Sequence, residues 1–448
     1  MSAVSKTLPL EKDLVVGLGA TGLSIARFLQ RTGRDARFFD TRDEPPGIDE
    51  LKTLWPDAEI DTGELADIPS DIDRIVVSPG VKDSHPLLEK ARAEGVEIVS
   101  DIDLFVAAAK APFVGITGSN GKSTVTTLLH HMCLASSKVA LAGGNLGRPA
   151  LDLLEEDTPD WYVLELSSFQ LQRTSSLPAA VAVLLNISPD HLDWHADEAE
   201  YRAAKYRIFD QADAAVFNRD EADIADQALG VERRLSFGLG EPESEAFGRR
   251  IEDGKTYLAH GQSMLFDVAD MAMFGVHNQA NALAALAAGT LMELPLDSML
   301  QVLCEFPGLP HRMQRVARHA SVDYIDDSKA TNVAAALAAI ESVENPIVLI
   351  AGGDGKGGDF SLLKLALEDR LRAAVLIGAD ARAIAKAIEP VGPRYFASNM
   401  DDAVDQASRC AEPGDVVLLA PACASLDQFA NYIARGEAFA EAARRIAS

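Results

Sequence analysis

The chain has 448 residues, 48% apolar and 24% charged, a soluble globular composition with too much chain for one ordinary core; about three domains are expected. Lysine and arginine number 41 against 68 aspartates and glutamates, and the net charge of −27 argues against a broad nucleic-acid surface or binding to anionic membranes. No apolar run reaches the ~18 residues of a membrane span, Met1 to Asp13 lack a signal-peptide core, and Cys133, Cys304, Cys410 and Cys423 show no zinc or redox spacing. A cytoplasmic protein with free thiols is the expectation.

In chain order, D-L-V-V-G-L-G-A-T-G-L-S (Asp13 to Ser24) reads as a strand, a glycine turn and a helix start, and A-R-F-F-D ends the next strand at Asp40. Gly17, Gly19 and Gly22 fit G-x-G-x-x-G, and Asp40 stands where a ribose-binding acid belongs. The pattern describes a tight turn that admits a diphosphate, so a nicotinamide dinucleotide and a nucleotide-sugar diphosphate both suit it. I-D-R-I-V-V-S-P-G-V (Ile72 to Val81) predicts a further strand with a Pro-Gly loop, and a helix is expected from Pro86 to Glu94. Residues 1–109 thus form a small Rossmann-like domain, closed by the Ala111-Pro112 boundary.

F-V-G-I-T-G-S-N-G-K-S-T (Phe113 to Thr124) is a buried strand followed by a phosphate-binding turn. Its glycines let N–H groups converge on an anion, and the helix that follows adds the positive end of its dipole. Lys122 can reach β- and γ-phosphates and the Ser123 hydroxyl can hold Mg²⁺. The loop is a variant of the strict template, because Gly115 and Gly121 enclose five residues rather than four. W-Y-V-L-E-L-S-S-F-Q carries Glu165 near a strand end, where it is either a Mg²⁺ ligand or a solvated acid.

The strand ending at Asn186 leads to I-S-P-D-H-L-D-W-H with His191, a metal ligand or an ordinary hydrogen-bonding histidine. In the helix D-E-A-E-Y-R-A-A-K-Y-R-I-F, position alone makes Lys205 a solvated charge or an i,i+4 partner of Tyr201. Residues 213–274 show no chemistry. The Ala/Leu-rich helix from Gly275 to Gly289 is core in its body, while His277 and Asn278 at its head could face a nucleotide base. These residues complete a P-loop NTPase-like central domain, 110–307.

Beyond the F-P-G-L-P-H-R linker, strands and helices alternate again into a second Rossmann-like domain, 308–448, with its last helix expected from Leu426. Three polar clusters follow apolar strands: D-D-S-K-A-T-N (Asp326 to Asn332), G-G-D-G-K-G-G-D-F (Gly352 to Phe360) and P-A-C-A-S-L-D-Q-F (Pro421 to Phe429). Each alone is a common loop or helix cap. Together they sit where open α/β sheets bind ligands.

Three nucleotide-scale domains in this order, with G-S-N-G-K-S-T centrally, H-N-x-x-N heading a helix and D-S-K-A-T-N opening the third domain, resemble the Mur ligases of peptidoglycan synthesis over nearly the whole chain. G-L-G-A-T-G-L-S and P-A-C-A-S-L-D-Q-F are similar to the branch that joins D-glutamate to UDP-N-acetylmuramoyl-L-alanine, and the D-N-P-R signature of diaminopimelate-adding members is absent. The resemblance implies an α/β ligase with ATP as co-substrate and two Mg²⁺ sites, acting as a monomer without nucleic-acid or membrane partners.

It further implies that Thr21, Asp40, Thr41, Arg42 and Gly80 hold UDP, with Asn145 on the muramoyl part. ATP falls to Gly118, Asn120, Gly121, Lys122, Ser123, Thr124, Asn278, Arg312 and Asp327, and D-glutamate to Lys329, Thr331, Lys356 and Ser425. Ser123, Glu165, His191 and Lys205 become metal ligands; Lys122, His191 and Lys205 are the catalytic set. Lys205 matches the lysine carbamylated in the family, and ligand binding is expected to close the third domain onto the second. A sibling ligase for another amino acid is the nearest alternative. From other classes, a nicotinamide oxidoreductase would leave Lys122 and Lys329 idle, and a phosphate-loop regulator or chaperone would leave both outer domains unused.

Overall fold

A computed structural model describes residues 12–65, 67–188, 190–191 and 194–447. Most of the Met1 to Asp13 stretch, and residues 189, 192 and 193 around His191, lie outside them. The chain is mixed α/β with three sheets, and it divides into two compact units. One comprises the chain up to Arg249 with Ala259–Ser263 and Leu283–Met299; the other comprises Arg250–Leu258, Met264–Ala282 and the chain from Leu300 onward.

In the first unit, β1 (Lys12–Val16), β2 (Asp35–Asp40), β3 (Glu59–Thr62), β4 (Arg74–Val77) and β5 (Glu97–Ser100) form a parallel sheet in the order β3-β2-β1-β4-β5. Alternate residues feed opposite faces: Val15, Phe38 and Val76 join one core, and Leu14, Val16, Phe39, Ile75 and Val77 the other. Both faces are covered, which is why the strands read as continuous apolar runs. The order reverses between β1 and β4, so this sheet opens its ligand crevice between the loops that follow those two strands.

The second sheet of this unit contains β6 (Phe113–Thr117), β7 (Ala140–Gly144), β8 (Trp161–Glu165), β9 (Val181–Leu184), β10 (Ala214–Asn218) and β11 (Arg233–Phe237). They run parallel in the order β11-β10-β9-β6-β8-β7. β12 (Phe247–Glu252) joins β11 at Phe237 and Phe247, and β13 (Lys255–His260) and β14 (Ser263–Asp267) follow in the chain. Phe105 meets Phe113 and Tyr162 edge-on, at centroid distances of 6.0 and 5.1 Å, within a core that also holds Val15, Phe38 and Leu164.

The second unit carries β15 (Gln314–His319), β16 (Val322–Asp326), β17 (Ile347–Gly352), β18 (Leu371–Ile377), β19 (Arg394–Phe396) and β20 (Val416–Leu419), ordered β15-β16-β20-β17-β18-β19. β15 is antiparallel to β16 and was not visible as a strand in the sequence. The last helix is Tyr432–Ala447, not a helix from Leu426. Ser425 accepts only a single turn of bonds, from the Gln428 and Phe429 N–H groups, and the Asn431 side chain accepts from the Ala434 N–H at the true start. Among the described residues no helix is long and apolar enough to cross a membrane.

Candidate active site

The phosphate-binding turn leaves β6 inside its sheet, between β9 and β8. Gly121 heads the Lys122–Ala135 helix with φ 84°, a left-handed conformation that suits glycine. The loop is held from β9: Asn120 N–H donates to Asn186 Oδ1 (2.8 Å), the Asn186 amide returns a bond to Asn120 O (3.1 Å), and Ser119 N–H donates to Asn186 O (2.9 Å). The Lys122 ammonium lies over the turn, donating to Gly118 O at 2.8 Å and Ser119 O at 3.0 Å. Ser123 and Thr124 follow in the first helical turn, half-buried. N–H groups, a helix start and a cation therefore converge on one point.

Glu165 ends the neighbouring strand, in register with Ile116 of β6. Its side chain is buried; Oε1 accepts from the Asn145 amide at 2.7 Å, while Oε2 is buried without a hydrogen-bond partner among the described residues. A buried carboxylate oxygen without a donor is a ready ligand for a cation. No group of three or more acidic, histidine or cysteine side chains that could enclose a metal exists among the described residues. That donor set fits Mg²⁺, which characteristically takes one or two carboxylates and completes its shell with water and substrate phosphates.

Lys205, read from position as a solvated charge, is only 2% exposed. Its ammonium donates to Gly118 O (2.9 Å) and lies 4.8 Å from the centre of the Tyr201 ring, one helical turn earlier. Burial, and secondarily the Lys122 charge, push this amine down to about 7 against the opposing pull of Asp190 and Glu165. Tyr201 OH meets Ser119 Oγ at 2.8 Å, so the helix bearing Lys205 also braces the phosphate loop. His191, with φ 53° and a half-exposed side chain, packs near Phe169 and Tyr201 at 4.9 and 6.3 Å between ring centres.

In the first sheet, Asp40 spends its carboxylate on the protein itself. It accepts from Leu18 N–H (2.6 Å), Arg42 N–H (2.9 Å) and the Arg42 guanidinium (2.7 and 2.8 Å). Burial alone would raise its pKa; the Arg42 guanidinium and the two N–H groups outweigh burial and hold it below the usual range. Thr21 lies in the first turn of the Ala20–Thr32 helix, and Thr41, Arg42 and Gly80 are exposed on the loops after β2 and β4.

The second unit presents the three polar clusters at adjacent strand ends, after β16, β20 and β17. Asp354 and Ala424 exchange backbone bonds of 3.0 and 2.8 Å, joining the glycine loop to the P-A-C-A-S loop. A Cβ on Gly353 would stand 2.2 Å from Ala424 O, so this approach requires glycine. Lys356 is exposed in a left-handed turn at φ 48°, Lys329 lies 4.3 Å from the Tyr432 ring centre, Thr331 donates its N–H to Lys329 O (2.8 Å), and Ser425 is buried. Burial pushes the Asp327 carboxyl up to about 7, against a bond from Met313 N–H (3.1 Å). Arg312 is exposed; Asn278 is buried and donates to Phe274 O at 2.7 Å.

Three family models match in chain order: Mur ligase MurD-like N-terminal domain over residues 11–100, Mur ligase middle domain over 116–289 and Mur ligase glutamate ligase domain over 311–423. A UDP-N-acetylmuramoylalanine–D-glutamate ligase of Pseudomonas savastanoi pv. phaseolicola is 48% identical over 96% of this chain and 97% of its own. The protein of that name from Nitrosococcus oceani is 46% identical over 97% of each. This chain belongs to the Mur ligase family. Among solved structures, Thermotoga maritima MurF ligase in complex with ADP is similar with a TM-score of 0.58 at 16% identity, covering 98% of this Mur ligase and 95% of that chain, a likeness of fold.

Two buried arginines of this Mur ligase, Arg173 and Arg435, carry no motif in its sequence. Arg435, 1% exposed, donates to Ser328 Oγ (3.0 Å), Ser328 O (2.9 Å) and Cys423 O (3.0 Å), with a longer approach to Gly352 O (3.4 Å). It thereby ties all three polar loops to the last helix. Asn186 and Tyr201 were likewise unassigned. The only advance signal was their place, at the end of an apolar strand and one helical turn before Lys205.

Proposed function

We propose that this Mur ligase uses ATP to join D-glutamate to UDP-N-acetylmuramoyl-L-alanine in the cytoplasm, with residues 1–109 for UDP, 110–307 for ATP and 308–448 for the amino acid. The observation that carries the chemistry is the junction of β6 and β8, where the Lys122 phosphate turn lies beside a buried Glu165 oxygen with no hydrogen-bond partner among the described residues. The full-length likeness to D-glutamate ligases supports the choice of substrates.

In this reading the alanyl carboxylate attacks the γ-phosphorus, the bond to the β,γ-bridging oxygen breaks, and ADP leaves an acyl phosphate. The D-glutamate amine then attacks the acyl carbon; a C–N bond forms, phosphate leaves and the amine loses a proton. Lys122, with Gly118, Asn120, Gly121, Ser123 and Thr124, holds the phosphates and balances charge as it moves. Two Mg²⁺ ions would be held, the first by Glu165 and Ser123 and a second by His191, with carbamylated Lys205 as a further ligand, and when bound they would neutralise phosphate charge. Asn145 orients Glu165 and meets the muramoyl part. Asn278, Arg312 and Asp327 are assigned to the nucleotide, and Lys329, Thr331, Lys356 and Ser425 to the carboxylates of D-glutamate, where lysines act as point charges.

The test is phosphate release from ATP in the presence of UDP-N-acetylmuramoyl-L-alanine, comparing D-glutamate with L-glutamate, L-alanine and meso-diaminopimelate. Release with D-glutamate alone, with an amide product of matching mass, is expected. Release with another amino acid would assign a sibling activity, and release without any would count against a ligase. In the same assay Glu165→Gln, which keeps shape and loses charge, should raise the Mg²⁺ concentration for half-maximal rate by at least about tenfold. An unchanged Mg²⁺ dependence would remove Glu165 from the metal site.

A further inference from the structure

The crevice between β1 and β4 has two walls, the Gly17–Gly19 turn and the loop after β4 that runs from Ser78 to Asp83. Ser78 joins them, donating its hydroxyl to Gly17 O at 2.8 Å. The second wall is not held by its own sheet alone. Arg173, the last residue of the Ser168–Arg173 helix after β8, places its guanidinium against it.

One Nη donates to Ser78 O (3.0 Å); the other donates to Val81 O (2.6 Å) and Asp83 Oδ1 (2.7 Å), which Nε also reaches at 3.1 Å. The Arg173 side chain is 6% exposed. Asp83 is also met by Arg92 of the Pro86–Glu94 helix, through Oδ1 (3.2 Å) and the backbone oxygen (2.9 Å). Lys82 of the same loop lies 5.8 Å from the Trp194 ring centre.

A planar fork satisfies two carbonyls and a carboxylate at once from donors spread over three nitrogens in a fixed plane, a spacing that the single nitrogen of an ammonium does not reproduce. The two carbonyls flank Pro79-Gly80, so the guanidinium fixes the loop while leaving Gly80 exposed, with nothing within 4 Å of where its Cβ would be. The mechanism above gives Arg173 no role, and a buried charge with this many bonds to one loop holds that loop in one shape. A loop already in its bound shape costs a ligand less ordering.

We propose that Arg173 is a positioning residue for the nucleotide of the sugar substrate, fixing the Ser78–Asp83 wall of the crevice from the neighbouring sheet. The inference rests on the assignment of the first sheet to UDP, and deepens it. Arg173→Ala is expected to weaken UDP binding, measured by calorimetry, and to raise KM for UDP-N-acetylmuramoyl-L-alanine, both by about tenfold, because the ligand must then order a loop that Arg173 no longer holds. KM for ATP, KM for D-glutamate and kcat should stay within about twofold.

Arg173→Lys should recover only part of the affinity. Arg37→Ala, whose guanidinium meets Asp61 (2.8 Å) between β2 and β3 and touches no residue of the Ser78–Asp83 loop, should bind UDP as the wild type does. A lower melting temperature with wild-type UDP affinity would overturn the proposal, since a merely structural arginine predicts that result. Should Arg173→Ala fail to fold, Arg173→Lys and Asp83→Asn read the same constant, and wild-type affinity in both overturns it equally. Wild-type protein that binds no UDP would overturn the assignment of the first sheet, and this role with it; wild-type binding with no loss in the variants overturns Arg173 alone.

Discussion

Lys205→Met is expected to lower the ligation rate at least about a hundredfold while making the ligand-free protein more stable at neutral pH. The two effects share one cause. Burial and the nearby Lys122 hold the Lys205 amine at about 7 in the folded chain, against 10.5 for an ordinary lysine. Between those values the unfolded chain carries a proton that the folded chain has given up, so stability rises with pH across the window, and the full penalty stands at pH 7 and below. Methionine removes the penalty, which is on the order of a few kcal/mol at most.

The same depressed pKa supplies the neutral amine that CO₂ needs. In the proposed site, carbamylation of that neutral amine would form an N–C bond, release a proton and leave a carboxylate-like anion where the protonated lysine would be a cation, which reverses the sign of its interaction with a metal. Urea melts in metal-free, carbonate-free buffer at pH 6.5 and 9.5 would check the linkage, with the advantage of Lys205→Met shrinking at the higher pH. An equal gap at both would show that Lys205 is not buried as a near-neutral amine. Labelled bicarbonate should give a carbamate carbon signal in the wild type that the variant lacks.

What could be read from the sequence was local. The glycines of Gly17 to Gly22 and Gly118 to Gly121, the apolar strands before them and the Pro86–Glu94 helix are signalled by spacing within a few residues, and each is found where spacing placed it. The hairpin joining β15 to β16 was not legible, because Ala320 and Ser321 adopt φ of 48° and 62° where Asn-Gly would have announced the turn. Ser425 is a plausible cap and so points to a helix from Leu426, but the bridge between Asp354 and Ala424 holds that segment as a loop.

The site shows the same division. Lys122 and Glu165 stand out as a lysine after a glycine turn and an acid at a strand end. The burial of Lys205 was invisible, since its neighbour Gly118 is 87 residues away. Arg173 and Arg435 donate largely to backbone carbonyls, which carry no side-chain signature in any sequence.

Arg435→Met is expected to destabilise the second unit by about 3 kcal/mol or more, and to raise KM for D-glutamate at least about tenfold. Burial lowers the Arg435 pKa to about 10, so the group remains a cation at neutral pH and its bonds are charge-assisted. Methionine fills much of the space and leaves Ser328 O and Cys423 O, buried acceptors on two different loops, without their donor. Those loops carry or adjoin Lys329 and Ser425, and the Asp354–Ala424 bridge passes the disturbance to the loop of Lys356. Arg435→Lys should rescue little, because one ammonium cannot span Ser328 and Cys423 with the geometry of a planar fork. Chemical denaturation and D-glutamate titrations on both variants separate the outcomes. Lost stability with an unchanged D-glutamate KM would mean that the loops keep their arrangement without Arg435, through the backbone bridge and the His311–Asp326 contact of 2.7 Å. Loss of both, with UDP binding unchanged, is the result that the hub geometry requires.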